Sequence, residues 1–441
     1  MNKFKPQDEQ ATGFAGAKRR VFWLDAVLLF LLALFAPLFF FPSMDYAWLF
    51  PVIPLVWMVR WFLRRELFER SMIDWAIGLL VAQVFTSCLV VSDIAVSLPK
   101  VAGVVFGILF FFGMINVLQS RKLMKLGVFG FAGAGLLLTV VGVLWMFTTR
   151  KGIYKRLAGD VIEKLPKINL RLPGAEAGIN PNALAGVVVL FVPLFLAMTA
   201  YFLKKQKNVR SFLAGFAAFL AFFVGSIIAC GVLFLTRSVG SWFAFAGGLG
   251  ALIFWGRWKK WGGVVILILM ALAILFNVYF LKSSGASTVD LKIELDKKRA
   301  IAIRFHLWQE GLEVIGKHPL TGIGMNQFRQ LPEIGYEMAH AHNHLIHTAA
   351  ELGIPGLVAY LAILMGAGFM CWEVARKNQD TFMRAAVVGL GAGQLAHFIF
   401  GMGDSIPLGA KPGIFFWVSL ALITAMFHTM KREELAAREL E

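Results

Sequence analysis

The sequence predicts an all-α polytopic membrane protein of about twelve transmembrane helices, on three observations. Hydrophobic residues fill 59% of 441 positions against 16% charged, with mean hydropathy +0.72, which leaves no polar coat for a soluble fold. Apolar runs of roughly 18–25 residues recur, the length a helix needs to cross about 30 Å of hydrocarbon. Lysine and arginine concentrate in alternate short connections between those runs, the pattern of loops retained in the cytoplasm.

Taken in order, residues 1–20 form a basic tail ending in Lys18-Arg19-Arg20. The apolar run that follows is too long for a signal peptide and lacks a small-residue cleavage site, so it is read as an uncleaved first span. Spans are expected near 21–41, 46–63, 72–91, 100–118, 126–148, 182–203, 212–235, 240–256, 262–281, 345–371, 385–403 and 413–430. This even number puts both termini on one side. The basic connections 60–70, 121–125, 204–210, 257–260 and 376–384 then fall on that side with Lys431-Arg432, which makes it cytoplasmic. Opposite short loops, 92–99 and 403–412, read as nearly charge-free.

Two longer segments, 149–181 and 282–344, lie on the outer side and carry most of the remaining polar sequence, so function is sought there. The first is basic through Arg150, Lys151, Lys155, Arg156, Lys164, Lys167 and Arg171, and suits an anionic partner. The second places Ile301, Phe305, Trp308 and Leu312 at helical spacing until His318-Pro319 stops the run. It is expected to lie across the membrane face. Residues 21–430 read as one integrated membrane domain, followed by a cytoplasmic tail, 431–441. Net charge +17 would point to nucleic acid in a soluble protein, but here it follows the loops, so no nucleic-acid partner is expected. Cys88, Cys230 and Cys371 lie far apart inside predicted spans and form no disulfide or zinc pattern.

Four of the eight histidines, His340, His342, His344 and His347, crowd the point where the second outer segment re-enters the membrane. Histidine is the side chain suited to proton transfer near neutrality. The bland alternative is an interfacial cap for the following helix. A second is a metal site, because positions 340, 344 and 347 share one face if the helix begins early, with Glu337 and Glu351 as the nearby acids. The expectation is catalysis without metal or cofactor. Arg237 and Arg304 are the outer arginines near membrane level, and a guanidinium fork matches phosphate oxygens; snorkelling, or pairing with Glu310 or Glu294, are the structural alternatives.

At these residues the sequence resembles the O-antigen ligase family. His342-Asn343 is followed by nine residues, 344–352, and then by Gly353-Ile354-Pro355-Gly356, which matches the family's histidine pattern. Asn180-Pro181-Asn182, the stretch 236–242 around Arg237, Arg304 with Trp308, and the stretch 318–324 resemble further family segments in the right order. One departure is Val239, which stands where the family often has its arginine, with Arg237 lying before Ser238.

The resemblance implies a GT-C-like glycosyltransferase of a Gram-negative inner membrane with its active site facing the periplasm. It would move a glycan from undecaprenyl diphosphate to a hydroxyl of lipid A-core. His342 would be the general base, supported by His340, Asn343, Trp308, Asn180, Asn182, Gly353 and Gly356, and Arg304 and Arg237 would bind diphosphate. An O-antigen polymerase and a protein O-oligosaccharyltransferase are the neighbouring alternatives; a lipid-linked glycan flippase is the alternative from another class. No outer pair of carboxylates of the glycoside hydrolase kind is evident. Oligomeric state leaves no trace in the sequence.

Overall fold

The computed structural model describes residues 7–40, 57–62, 65, 67–91, 93–149, 180–204, 209–236, 238–255, 288–331 and 340–439. These form α1 (Gln7–Phe40), α2 (Asp74–Val90), α3 (Ile94–Val117), α4 (Arg121–Thr149), α5 (Pro181–Lys204) and α6 (Val209–Thr236). There follow α7 (Val239–Trp255), α8 (Thr288–Lys317), α9 (His344–Lys377), α10 (Thr381–Gly401) and α11 (Ile414–Arg438). Short 3-10 turns occur at Phe328–Gln330 and Lys411–Gly413, and there is no strand among the described residues. Among the described residues, eight helices are long and apolar enough to cross a membrane, and α2 and α7 are shorter apolar helices. The chain is therefore a multi-pass helical membrane protein. Ten expected spans have a helix at their position. The expected span 262–281 and most of 46–63 lie outside the described residues, as do the basic stretch 150–171 and Arg237.

The bundle is built around α5 and α11, each with 72% of its most apolar window buried, whereas α1 buries only 22% and turns its apolar surface to lipid. Close packing at the centre depends on small residues. A Cβ on Gly389 of α10 would lie 2.8 Å from the Leu194 backbone of α5, and one on Gly393 would collide with the Leu190 carbonyl. In hydrocarbon, where no water competes, such backbone approaches replace the hydrophobic effect as the source of helix association.

The charged connections gather at one end. Arg121 makes a fork with Glu433 at 2.7 and 2.8 Å, Arg432 meets Glu69 at 3.2 Å, and Lys431 meets Glu373 at 3.8 Å. That tie between the starts and ends of α4, α9 and α11 agrees with the alternation of basic loops in the sequence.

One boundary differs from expectation. Residues 94–99, read as an outer loop, already belong to α3, because Asp93 caps it by accepting from Ala95 N at 2.9 Å. The expected outer helix is present as α8 and ends at Lys317, just before His318-Pro319.

Candidate active site at the histidine segment

Helix α9 starts late. Asn343, in extended backbone geometry, accepts from Leu345 N and Ile346 N at 3.0 and 3.2 Å and so satisfies two of the free donors of the first turn. His344 and His347 are thus helical and buried, while His340 and His342 precede the helix. This removes the alternative of a metal face at positions 340, 344 and 347, which required an earlier start.

The same helix breaks at Gly353, where φ is 71°. Pro355 has no N–H to give the Glu351 carbonyl, and Ile354 N turns aside to Pro319 O at 2.7 Å. The two carbonyls left free, of Ala350 and Glu351, accept instead from Ile323 N and Gly324 N at 2.9 and 3.0 Å. The stretch 318–324 is therefore hydrogen-bonded across the break like a missing turn. Gly322, with φ of 64°, and Gly353 make the crossing possible: a Cβ on either would run into the other segment's backbone. Gly356, one turn on, is buried beneath the Leu352 side chain.

Before the helix, His342 is held with φ of 51°, a region sparsely used by any residue but glycine. Its ring meets the loop that follows α10. Nδ1 of His342 lies 2.9 Å from Oδ1 of Asp404, which also accepts from Ser405 N at 2.8 Å. An ionised carboxylate can only accept, so Nδ1 is the donor in this pair. Burial raises the Asp404 pKa, but the hydrogen bond and charge of His342, together with His340, outweigh it and hold the carboxyl below its ordinary value. His340 stacks edge-on against His342 with ring centroids 4.4 Å apart. Burial, with the neighbouring His342, pushes His340 down to about 4, so it is neutral at physiological pH.

The remaining two histidines are inside the bundle. Nδ1 of His344 lies 3.2 Å from the Ser405 hydroxyl, and its ring packs on Tyr360. Nε2 of His347 faces Glu351 at 3.4 Å. Their burial suits the packing role, leaving His340 and His342 partly exposed, of which His342 has the carboxylate at hydrogen-bond distance and His340 lies 4.0 Å from it.

Among the described residues, Arg304 on α8 makes no hydrogen bond or ion pair, and Glu310 faces His306 instead. α8 packs on the start of α9 through Gly311 against Ile346, and through Leu307 and Val314 in one cluster with Phe328. Arg304 stands about two turns before that contact. Trp308 is half-buried with its indole N–H unpartnered. Asn180 caps α5, its Oδ1 accepting from Asn182 N at 2.9 Å. Neither asparagine touches a histidine among the described residues.

The residue missed by sequence reasoning is Asp404, in a loop read as nearly charge-free. The available signal was isolation: it is the only acidic residue between Asp380 and Glu433. Among the described residues, His340, His342 and Asp404 bring one ligand atom each within 4.8 Å of one another, so these three, rather than the alternative face of 340, 344 and 347, are where a cation would be held.

Taken together, the chain is a multi-pass helical bundle in which a histidine just before α9 is held against a carboxylate from the loop after α10. Residues 224–361, which span α7, α8 and the histidine segment, match the family model described as O-antigen ligase. The match supports assigning the chain to the O-antigen ligase family, whose members are glycosyltransferase-like enzymes. No curated protein matches the sequence.

Proposed function

We propose that the chain is an O-antigen ligase that transfers a glycan from undecaprenyl diphosphate to a hydroxyl of lipid A-core at the periplasmic face of the inner membrane. The observation that carries this reading is the His342–Asp404 pair, 2.9 Å apart, whose histidine lies inside the segment that matches the family. Nε2 of His342 takes the proton of the acceptor hydroxyl as its oxygen attacks the anomeric carbon, and the bond from that carbon to the diphosphate breaks. Asp404 holds the ring tautomer and balances the imidazolium that forms. Arg304, and Arg237 as the second cation, neutralise the charge that grows on the departing diphosphate, which replaces a general acid. Lipid A-core is the acceptor, and the basic stretch 150–171 contacts its phosphates.

The test is reconstitution of purified protein with carrier-linked glycan and lipid A-core, with a chelator present and no energy source. Glycosylated lipid A-core and free undecaprenyl diphosphate are expected. Elongated carrier-linked glycan with no lipid A-core product would make it a polymerase. A strict need for added divalent metal would turn His340, His342 and Asp404 into its ligands.

A further inference from the structure

Four buried polar atoms near the histidines have no hydrogen-bond partner: Nδ1 of His340, Nδ1 of His347, Oε1 of Glu351 and Nε of Arg329. Buried polar groups are nearly always satisfied, so a group of orphans in one place marks a spot that something else fills.

Arg329 reaches this place because the stretch 325–331 is clamped to the first turns of α3. Ser97 Oγ donates to Met325 O at 2.6 Å, Asn326 Nδ2 donates to Val96 O at 2.6 Å, and Gln327 Nε2 donates to Ser97 Oγ at 2.9 Å. Asn326 holds φ of 62° to make the turn, and Phe328 inserts fully buried with its ring 5.7 Å from that of His347. The Arg329 guanidinium follows directly.

Lys100 comes from α3 itself. It lies on α3 one turn past Ser97, and its carbonyl is where a Cβ on Gly409 would collide, so it borders the loop that carries Asp404. Lys100 and Arg329 act electrostatically on each other, and both act on Glu351 and His340. Neither has a hydrogen bond or ion pair among the described residues. Lys411 acts on Lys100 as well, so three cations stand against the carboxylates of Glu351 and Asp404, and the free donors at the spot are cationic N–H groups.

We propose that Lys100 and Arg329 form an anion seat for the diphosphate of the lipid-linked donor, beside the His340–His342 pair. This rests on the transfer reading and adds two ligands to it. A charged N–H from each residue fits two phosphate oxygens, and the Arg329 Nε–H then gains the partner it lacks.

The experiment uses the full chain in detergent and measures binding of undecaprenyl diphosphate without glycan, and separately of phosphorylated lipid A-core. Arg329→Gln and Lys100→Gln should each weaken carrier binding by roughly tenfold or more, the scale of one lost charge-assisted contact, with lipid A-core binding unchanged. Arg329→Lys should fall between. If Lys100→Gln fails to fold because α3 is packed there, the two Arg329 variants still decide the matter. Folded Arg329→Gln with wild-type carrier affinity would overturn the seat, and so would loss of lipid A-core affinity alone. Wild-type protein that binds the carrier but transfers no glycan would sink the transfer reading and leave the seat standing; wild-type protein that does not bind the carrier would remove the seat.

Discussion

Asp404 and His342, 62 positions apart in the chain, meet at 2.9 Å because the loop after α10 folds back under the start of α9. The contact is supported from both sides. Asn343 Nδ2 reaches the Met402 carbonyl at 3.4 Å, and a Cβ on Gly401 would lie 3.1 Å from the His344 side chain. The carboxylate thus approaches from an element that shares no local sequence with the histidine.

If Asp404 orients the ring and balances its charge, Asp404→Asn should lower kcat on the order of 10²–10⁴-fold, as loss of the orienting acid does in a histidine-based triad, with donor KM little changed. Steady-state transfer assays that separate kcat from KM decide this. A fall confined to KM would make Asp404 part of the binding surface instead.

His340 predicts how stability responds to acid. Its pKa is about 4 in the folded protein against 6.5 as the ordinary value, so between these pH values the unfolded chain binds a proton that the folded one does not. Its contribution is fully present above pH 6.5 and is lost as pH falls toward about 4. Thermal unfolding in detergent at pH 7.5 and pH 5 should show a drop in Tm that is smaller in His340→Gln. An equal drop in the two proteins would remove His340 as the source.

Gly353→Ala places a Cβ at φ of 71° and 2.5 Å from the Leu320 carbonyl. The expected cost is about 1–3 kcal/mol from the backbone alone, with the 318–324 crossing loosened. Lower Tm and faster proteolysis between residues 318 and 331 would register it. Unchanged Tm would mean that the crossing does not hold α9.

Much of this was legible in advance, and the exceptions have physical causes. Apolar runs announce helices through length and composition, so ten expected spans find a helix at their place, and α8 stops where His318-Pro319 says it should. The histidine segment was legible because four titratable side chains at a membrane rim are unusual. Asp404 was not, since a single acid in a short loop has neither period nor spacing to link it to His342. The break at Gly353 was visible only as a glycine before Ile354-Pro355; its partner, the 318–324 stretch, appears only when the freed carbonyls are accounted for in three dimensions. The start of α9 turned on Asn343, which reads equally well as a loop residue until its extended backbone geometry shows a cap.

Arg304 and Arg237 carry the fourth prediction. If Arg304 grips the diphosphate through its planar fork, Arg304→Lys keeps the charge, loses the fork, and lowers both turnover and donor binding. Arg237→Ala should give the smaller defect, since Val239 occupies the family's usual arginine position. Full activity of Arg304→Lys would reduce that arginine to a bulk positive charge, and a silent Arg237→Ala beside a dead Arg304→Ala would pass the second cationic role to other residues.

The central claim is that His342 is the general base. Its most direct measurement is glycan transfer by purified His342→Ala alongside His340→Ala, each checked for wild-type Tm and monodispersity. The account predicts that His342→Ala loses roughly 10²–10⁴-fold in turnover. It also predicts that His340→Ala loses much less. His342→Ala within a few fold of wild type, with His340→Ala inactive, would contradict the account and move the base to His340.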